Sequence, residues 1–248
     1  MIAAMNLREN TTSSLLMRDM GILARSDNYL SMQFRKIDKY IGKRVLEIGS
    51  GIGNHTKNII GKKPEILIAL EKEVSFCQFL KNNFGDDIEL LNCDLDTISQ
   101  YADSLTKKRI DTVIALNVIE HINQDLACLK ILSEIIVHNG RIILIVPASK
   151  VLFSRLDKAY GHYRRYTQET FIEYAKVLNL ELIENTYFNM IGWFGWLIFA
   201  KIGKAIRISY KGMSMFDRFL PILSFLEDKI HKPPFGLSLL AVFGKRGM

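Results

Sequence analysis

The residues with the clearest chemical potential lie in Val45–Thr56, V-L-E-I-G-S-G-I-G-N-H-T. An apolar run ends in three glycines two apart, Gly49, Gly51 and Gly53, with the acid Glu47 just before them. Glycine allows dihedrals closed to other residues and lets a ligand come close to the main chain. The helix predicted to follow presents unpaired N–H groups and a partial positive charge. Such a loop at the carboxyl end of a strand suits a nucleotide-like ligand. The dinucleotide spacing G-x-G-x-x-G, read from Gly49, would need a glycine where Asn54 stands.

A second group lies in Asp157–Thr167, D-K-A-Y-G-H-Y-R-R-Y-T, which joins Tyr160, Tyr163 and Tyr166 to Arg164, Arg165 and His162. An aromatic and basic loop suits an anionic acceptor. An imidazole, titrating near about 6.5 when unperturbed, can take a proton at neutral pH. A third block, A-L-N-V-I-E-H-I, sets Asn117, Glu120 and His121 just past a predicted strand. His121 and His162 are thus the candidate bases. His55 is expected to pack or cap in the helix after the glycine loop, and His138 to lie at a helix end. Cys77, Cys93 and Cys128 form no C-x-x-C or His/Cys cluster. No disulfide scaffold and no metal site is expected.

These groups need elements to hold them. The chain has 248 residues, 48% hydrophobic and 24% charged, proportions that exclude a wholly disordered protein. Its 33 Lys+Arg against 26 Asp+Glu, net charge +7, suit anionic partners: phosphorylated substrates, membrane headgroups or nucleic acid. Residues 12–41 are predicted as two helices, the second capped by Ser26 or Asp27. Short apolar runs then read as strands: Arg44–Ile48, Ile66–Leu70, Ile88–Leu91, Thr112–Leu116, Arg141–Val146, Leu182–Phe188 and Leu237–Phe243. Helical stretches near 54–61, 73–83, 96–105, 123–138 and 168–178 alternate with them. That alternation implies a parallel sheet covered on both faces. The expected organisation is one domain over 1–248, with core at 43–188 and 237–244 and an insert at 189–236.

The insert, Asn189–Gly236, is rich in large apolar residues and carries seven Lys/Arg against three Asp/Glu. Lys201, Lys204, Arg207 and Lys211 recur at spacings that would put several on one helix face. The composition suits a cap on the sheet, a homodimer interface or peripheral contact with a membrane. Phe188–Ala200 is apolar but short of the roughly 20 residues a spanning helix needs. Met1–Met5 is short and soon interrupted by Arg8, Glu9 and Asn10, which argues against a signal peptide. A cytoplasmic protein, soluble or membrane-associated, is expected.

With Glu71 past the second strand, Asp94 in L-N-C-D-L-D past the third, and the N-V-I-E-H-I block past the fourth, the chain resembles the class I S-adenosylmethionine-dependent methyltransferases. The resemblance runs through Arg44–Val146. It implies a Rossmann-like seven-stranded α/β sheet with helices on both faces, and S-adenosyl-L-methionine as cofactor. It implies that Glu47, Gly49, Gly51 and Gly53 cradle the methionine half and that Glu71 binds the ribose hydroxyls. Asp94, with Asp96 as a competing candidate, would accept from the adenine amino group beside the Leu95 backbone N–H, and Asn117 would line the cofactor cleft. The N-V-I-E-H-I block resembles the ubiquinone-biosynthesis type. The G-H-Y-R-R-Y-T loop and Pro234–Leu239, P-F-G-L-S-L, resemble a bacterial subgroup associated with cell-surface glycan or lipid gene clusters. In that reading Tyr160, Tyr163, Arg164, Arg165 and Tyr166 hold a small-molecule or lipid-linked acceptor, and His162 or His121 removes its proton. Methylation of oxygen is expected, with nitrogen or carbon as alternatives. A non-enzymatic binding protein that keeps the fold is a further alternative, as is an NAD-dependent oxidoreductase. The segment Asn117-Val118-Ile119-Glu120 is no N-P-P-Y tetrad, so no nucleic-acid partner is expected.

Overall fold

The computed structural model describes residues 12–205, 207–230 and 232–247, so the N-terminal segment read for a signal peptide lies outside it. Its seven strands are β1 (Arg44–Ile48), β2 (Ile66–Glu71), β3 (Glu89–Asn92), β4 (Thr112–Leu116), β5 (Arg141–Pro147), β6 (Glu181–Phe188) and β7 (Ser238–Gly244). They form one sheet in the order β3-β2-β1-β4-β5-β7-β6. β1 to β5 run parallel, and β7 is antiparallel to both β5 and β6. Strand order reverses between β1 and β4, and ligands of open α/β sheets bind outside the carboxyl ends at such a point.

The central strands are apolar on both sides because both sides are covered. Leu46, Ile48, Val113, Ala115, Leu144 and Val146 face one core, closed by α5 (Ala102–Lys107), α6 (Asp125–Ile135) and α8 (Gln168–Val177). The alternate residues Val45, Ile114, Ile143 and Ile145 face the other core. It is closed by α2 (Asp27–Ile37), α3 (Thr56–Ile60), α4 (Val74–Phe84) and α10 (Tyr210–Glu227). Each element therefore contributes one period, two for strands and about 3.6 for helices, to a shared layer.

α1 (Thr12–Leu23) and α2 agree with the two predicted N-terminal helices, but the cap of α2 differs. The Ser26 side chain makes no cap bond, and its hydroxyl donates back to Ile22 O at 3.2 Å. Asp217 of α10 fills that role from across the molecule, accepting from Tyr29 N at 2.8 Å. The insert folds as α9 (Met190–Trp196), a π-type continuation over Leu197–Ile202, a non-helical link and then α10. Because the link interrupts the helix, Lys201, Lys204, Arg207 and Lys211 do not lie on one continuous helix face. α7 (Arg155–Ala159) lies in the loop after β5. No helix among the described residues is long and apolar enough to cross a membrane.

Candidate active site

The glycine loop leaves β1 at the sheet's reversal point. Gly49, Gly51 and Gly53 have φ of 66°, 57° and 81°, the left-handed region that other residues enter at a cost. A Cβ at Gly49 would stand 2.6 Å from Val118 Cγ2, and one at Gly53 would run into the Phe84 ring. The loop is thus packed from behind, at the carboxyl end of β1. Glu47 braces it from beneath: its carboxylate is buried and accepts from Thr56 Oγ1 at 2.6 Å. Burial pushes this carboxyl up to about 7. The bond to Thr56 ties Glu47 to the first residue of α3, just past the cradle.

Glu71 ends β2 and spans the gap to the loop. One carboxylate oxygen accepts from Gly51 N at 2.8 Å and the other from Glu73 N at 2.9 Å. Desolvation raises its pKa. Each oxygen keeps a free lone pair, so the group can still accept a pair of hydroxyls. Asp94 caps the 3-10 turn Leu95–Tyr101, accepting from Asp96 N at 3.2 Å, with Lys72 Nζ 4.0 Å away. Its side chain remains 44% exposed and free to accept from a ligand. Leu95 turns its side chain into the core, leaving only its backbone for a ligand. Asn117 is exposed at the mouth of β4 with φ of 55°, held by its N–H on Ile145 O at 2.7 Å.

Past β4 and β5 the loops bring Glu120, His121 and His162 together, one ligand-capable atom of each within 4.8 Å of the others. The His121 and His162 rings meet edge to face at 4.7 Å. Burial, aided by His162, pushes His121 down to about 3, so at neutral pH it is uncharged. His55 packs as expected: half-buried, with Nε2 3.2 Å from Gln33 Oε1, and pushed down by burial to about 4. His162 Nδ1 lies 3.1 Å from Asp157 Oδ1. Asp157 is wholly buried; burial favours its neutral form, but bonds from His162, Arg165 and Ser154 hold its carboxyl below the ordinary range. An ionised carboxylate only accepts, so Nδ1 carries a proton toward Asp157 and the ring is held with Nε2 on its far side. Sequence reasoning missed Asp157. The available signal was Ser154-x-x-Asp157, a capping box that the structure confirms.

The aromatic and basic loop is largely a structural unit, which corrects part of the acceptor-pocket expectation. Arg165 is buried: it pairs with Asp157 at 2.8 Å, donates to Ala148 O and lies over the Trp196 ring. Tyr166 is wholly buried, stacked on Phe171, with its hydroxyl donating to Asp125 Oδ2 at 2.7 Å. Tyr160 is buried and donates to Asp19 of α1. Those three side chains fix the loop and cannot meet an acceptor without moving. Arg164 is partly exposed, paired with Asp125 at 2.5 Å, and Tyr163 is exposed. Only these two keep a surface for an acceptor.

Glu120 is the unusual member. It is wholly buried, and neither carboxylate oxygen has a hydrogen-bond partner. Burial pushes its pKa up to about 7, moderated by His162. A raised folded pKa contributes stability below the ordinary value of 4.5, lost as pH rises through about 7. Glu120→Gln is therefore expected to flatten the fall in stability between pH 5 and about 8. Chemical denaturation across that range checks it; an unchanged slope would contradict it.

Known structures share this architecture at low sequence identity. A SAM dependent methyltransferase from Archaeoglobus fulgidus aligns over 88% of this chain and 94% of its own, TM-score 0.59, at 16% identity. An S-adenosylmethionine dependent methyltransferase from Mesorhizobium loti aligns over 86% and 97%, TM-score 0.59, at 10% identity. The fold is that of the class I methyltransferases. A chain of the complex containing the Haloferax volcanii Trm112 methyltransferase activator aligns over 98% and 100%, TM-score 0.65, at 12% identity. In sequence, a Ribosomal RNA small subunit methyltransferase A from Pelagibacter ubique is 41% identical over 58 residues. That match spans 23% of this chain and 22% of the relative. No family model matches the sequence. In this class I methyltransferase fold the glycine cradle, Glu71, Asp94 and Asn117 share one sheet edge with the Glu120, His121 and His162 cluster.

Proposed function

We propose that the protein is an S-adenosylmethionine-dependent methyltransferase that methylates an ionisable oxygen on a small-molecule or lipid-linked acceptor. The observation that carries the reading is the buried Asp157, which orients the His162 ring through Nδ1 at the sheet edge that holds the cradle. The residues fit the cofactor: the three glycines allow the left-handed turn that presents bare backbone at the sheet edge, and Glu71 keeps two lone pairs beside it. When bound, S-adenosylmethionine supplies a methyl group on a sulfonium sulfur, passed by direct displacement to the acceptor oxygen. His162 Nε2 takes the proton as the acceptor oxygen becomes nucleophilic, and Asp157 stabilises the imidazolium that forms. The uncharged His121 ring closes one side of that proton site. Tyr163 and Arg164, which keep exposed surface in the same loop, would align the acceptor, and that alignment counts as much as the proton transfer.

Glu71→Ala is expected to weaken S-adenosylmethionine binding by about 1.5–3 kcal/mol, roughly tenfold to a hundredfold. Calorimetric titration checks it, and unchanged affinity with the fold intact would remove the ribose role. A ribosomal RNA acceptor is the second reading, favoured by the local match to the rRNA methyltransferase and the net charge of +7. Labelled methyl transfer to total RNA against lipid extract separates the two.

A further inference from the structure

We propose that the α9–α10 insert docks onto an anionic membrane surface. The inference stands on this surface alone and does not rest on the methyl-transfer reading. Two apolar stripes are exposed among the described residues. Along α9 and its π-type continuation, Ile191, Phe194, Ile198, Phe199 and Ile202 recur at three- to four-residue spacing, between 43% and 69% exposed. Along α10, Met215, Phe219, Ile222, Phe225 and Leu226 do the same, between 53% and 63% exposed. Side chains at that spacing share one helix face, and an apolar stripe of this size on a surface marks an interaction site.

The charges say what covers it. The insert's three acids are all turned to its own protein. Asp217 caps α2. Glu227 accepts from the Asn189 and Met190 N–H groups at 2.6 and 2.9 Å, capping α9. Asp228 pairs with Lys36 at 2.6 Å. The seven bases, Lys201, Lys204, Arg207, Lys211, Arg218, Lys229 and Lys232, are all exposed, and no salt bridge to any of them is found among the described residues. Lys211, Arg218 and Lys229 alternate with the α10 stripe at the same spacing, so that face carries apolar and cationic groups together. A second copy of the same face would set cation against cation. A bilayer with anionic headgroups satisfies both, taking the apolar side chains between its acyl chains and the bases among its phosphates.

The test is flotation of the full chain with vesicles of phosphatidylcholine alone and with phosphatidylglycerol added. The expected result is flotation with the anionic vesicles only. It should drop at least about tenfold in the Lys204→Glu, Arg207→Glu, Lys211→Glu triple variant and in Phe199→Asp with Ile222→Asp. All five positions are exposed, so circular dichroism should match wild type. Absence of flotation, equal flotation with neutral vesicles, or a stable dimer lost in the Phe199→Asp, Ile222→Asp variant would each overturn the proposal.

Discussion

His162→Ala is expected to lower turnover on the acceptor by about 10²- to 10⁴-fold, the range that one positioned proton acceptor contributes. S-adenosylmethionine affinity should stay within about twofold, because His162 belongs to the loop after β5 and the cradle to β1 and β2. The split matters, since a variant that loses both has lost structure. His162 Nε2 has no substitute nearby: His121 is pushed down to about 3 by burial and neighbouring charge, too weak a base at neutral pH. Glu120, pushed up to about 7, is wholly buried and cannot reach an acceptor. Turnover of the variant within about threefold of wild type would withdraw the base assignment.

Asp157→Ala should have the largest effect on stability, a loss of about 3–5 kcal/mol by chemical denaturation. The substitution leaves the Arg165 guanidinium buried without its carboxylate and removes the acceptor of Ser154 N and Oγ, both at 2.8 Å. Asp157→Asn separates structure from chemistry. Its amide oxygen can still accept from Arg165, so most of the shape survives. The amide cannot stabilise the imidazolium, and turnover should fall by more than stability accounts for. Acid titration follows with a definite sign. The folded pKa of Asp157 lies below its ordinary value of 3.8, so its stabilisation is complete above that value and is lost as pH falls through the folded pKa. A loss below 1 kcal/mol for Asp157→Ala would show that the Arg165–Asp157 pair does not hold the loop.

The sheet was legible in the sequence because its strands are covered on both faces. Arg44–Ile48 and Thr112–Leu116 match β1 and β4 at both ends, and the other five strands lie within one residue at each end. The predicted helix near 96–105 is instead a 3-10 turn followed by α5, since Asp94 caps a tight turn that local periodicity does not reveal. In the site, Glu71, Asp94 and Asn117 fall at the predicted sheet edge because β1 to β5 run parallel and carry their carboxyl ends to one side. The G-H-Y-R-R-Y-T loop read less well. Arginine and tyrosine are residues of surfaces and binding loops by habit, and nothing local shows that Arg165 meets a buried acid eight residues back. Tyr166 and Phe171, five apart in sequence, stack within the core, so the aromatic content of that segment measured packing more than recognition. The cap of α2 by Asp217, 188 residues from Tyr29, is a contact that only tertiary structure supplies.

Calorimetric titration of the wild-type chain with S-adenosylmethionine and, separately, with NAD tests the central claim most directly. The glycine loop has Asn54 where a dinucleotide fingerprint wants glycine, and Glu71 and Asp94, the residues proposed to hold the ribose and adenine, follow β2 and β3 at the same sheet edge. The expected result is saturable one-to-one binding of S-adenosylmethionine and no comparable binding of NAD. Binding of NAD in preference, or binding of neither by the folded chain, would contradict it.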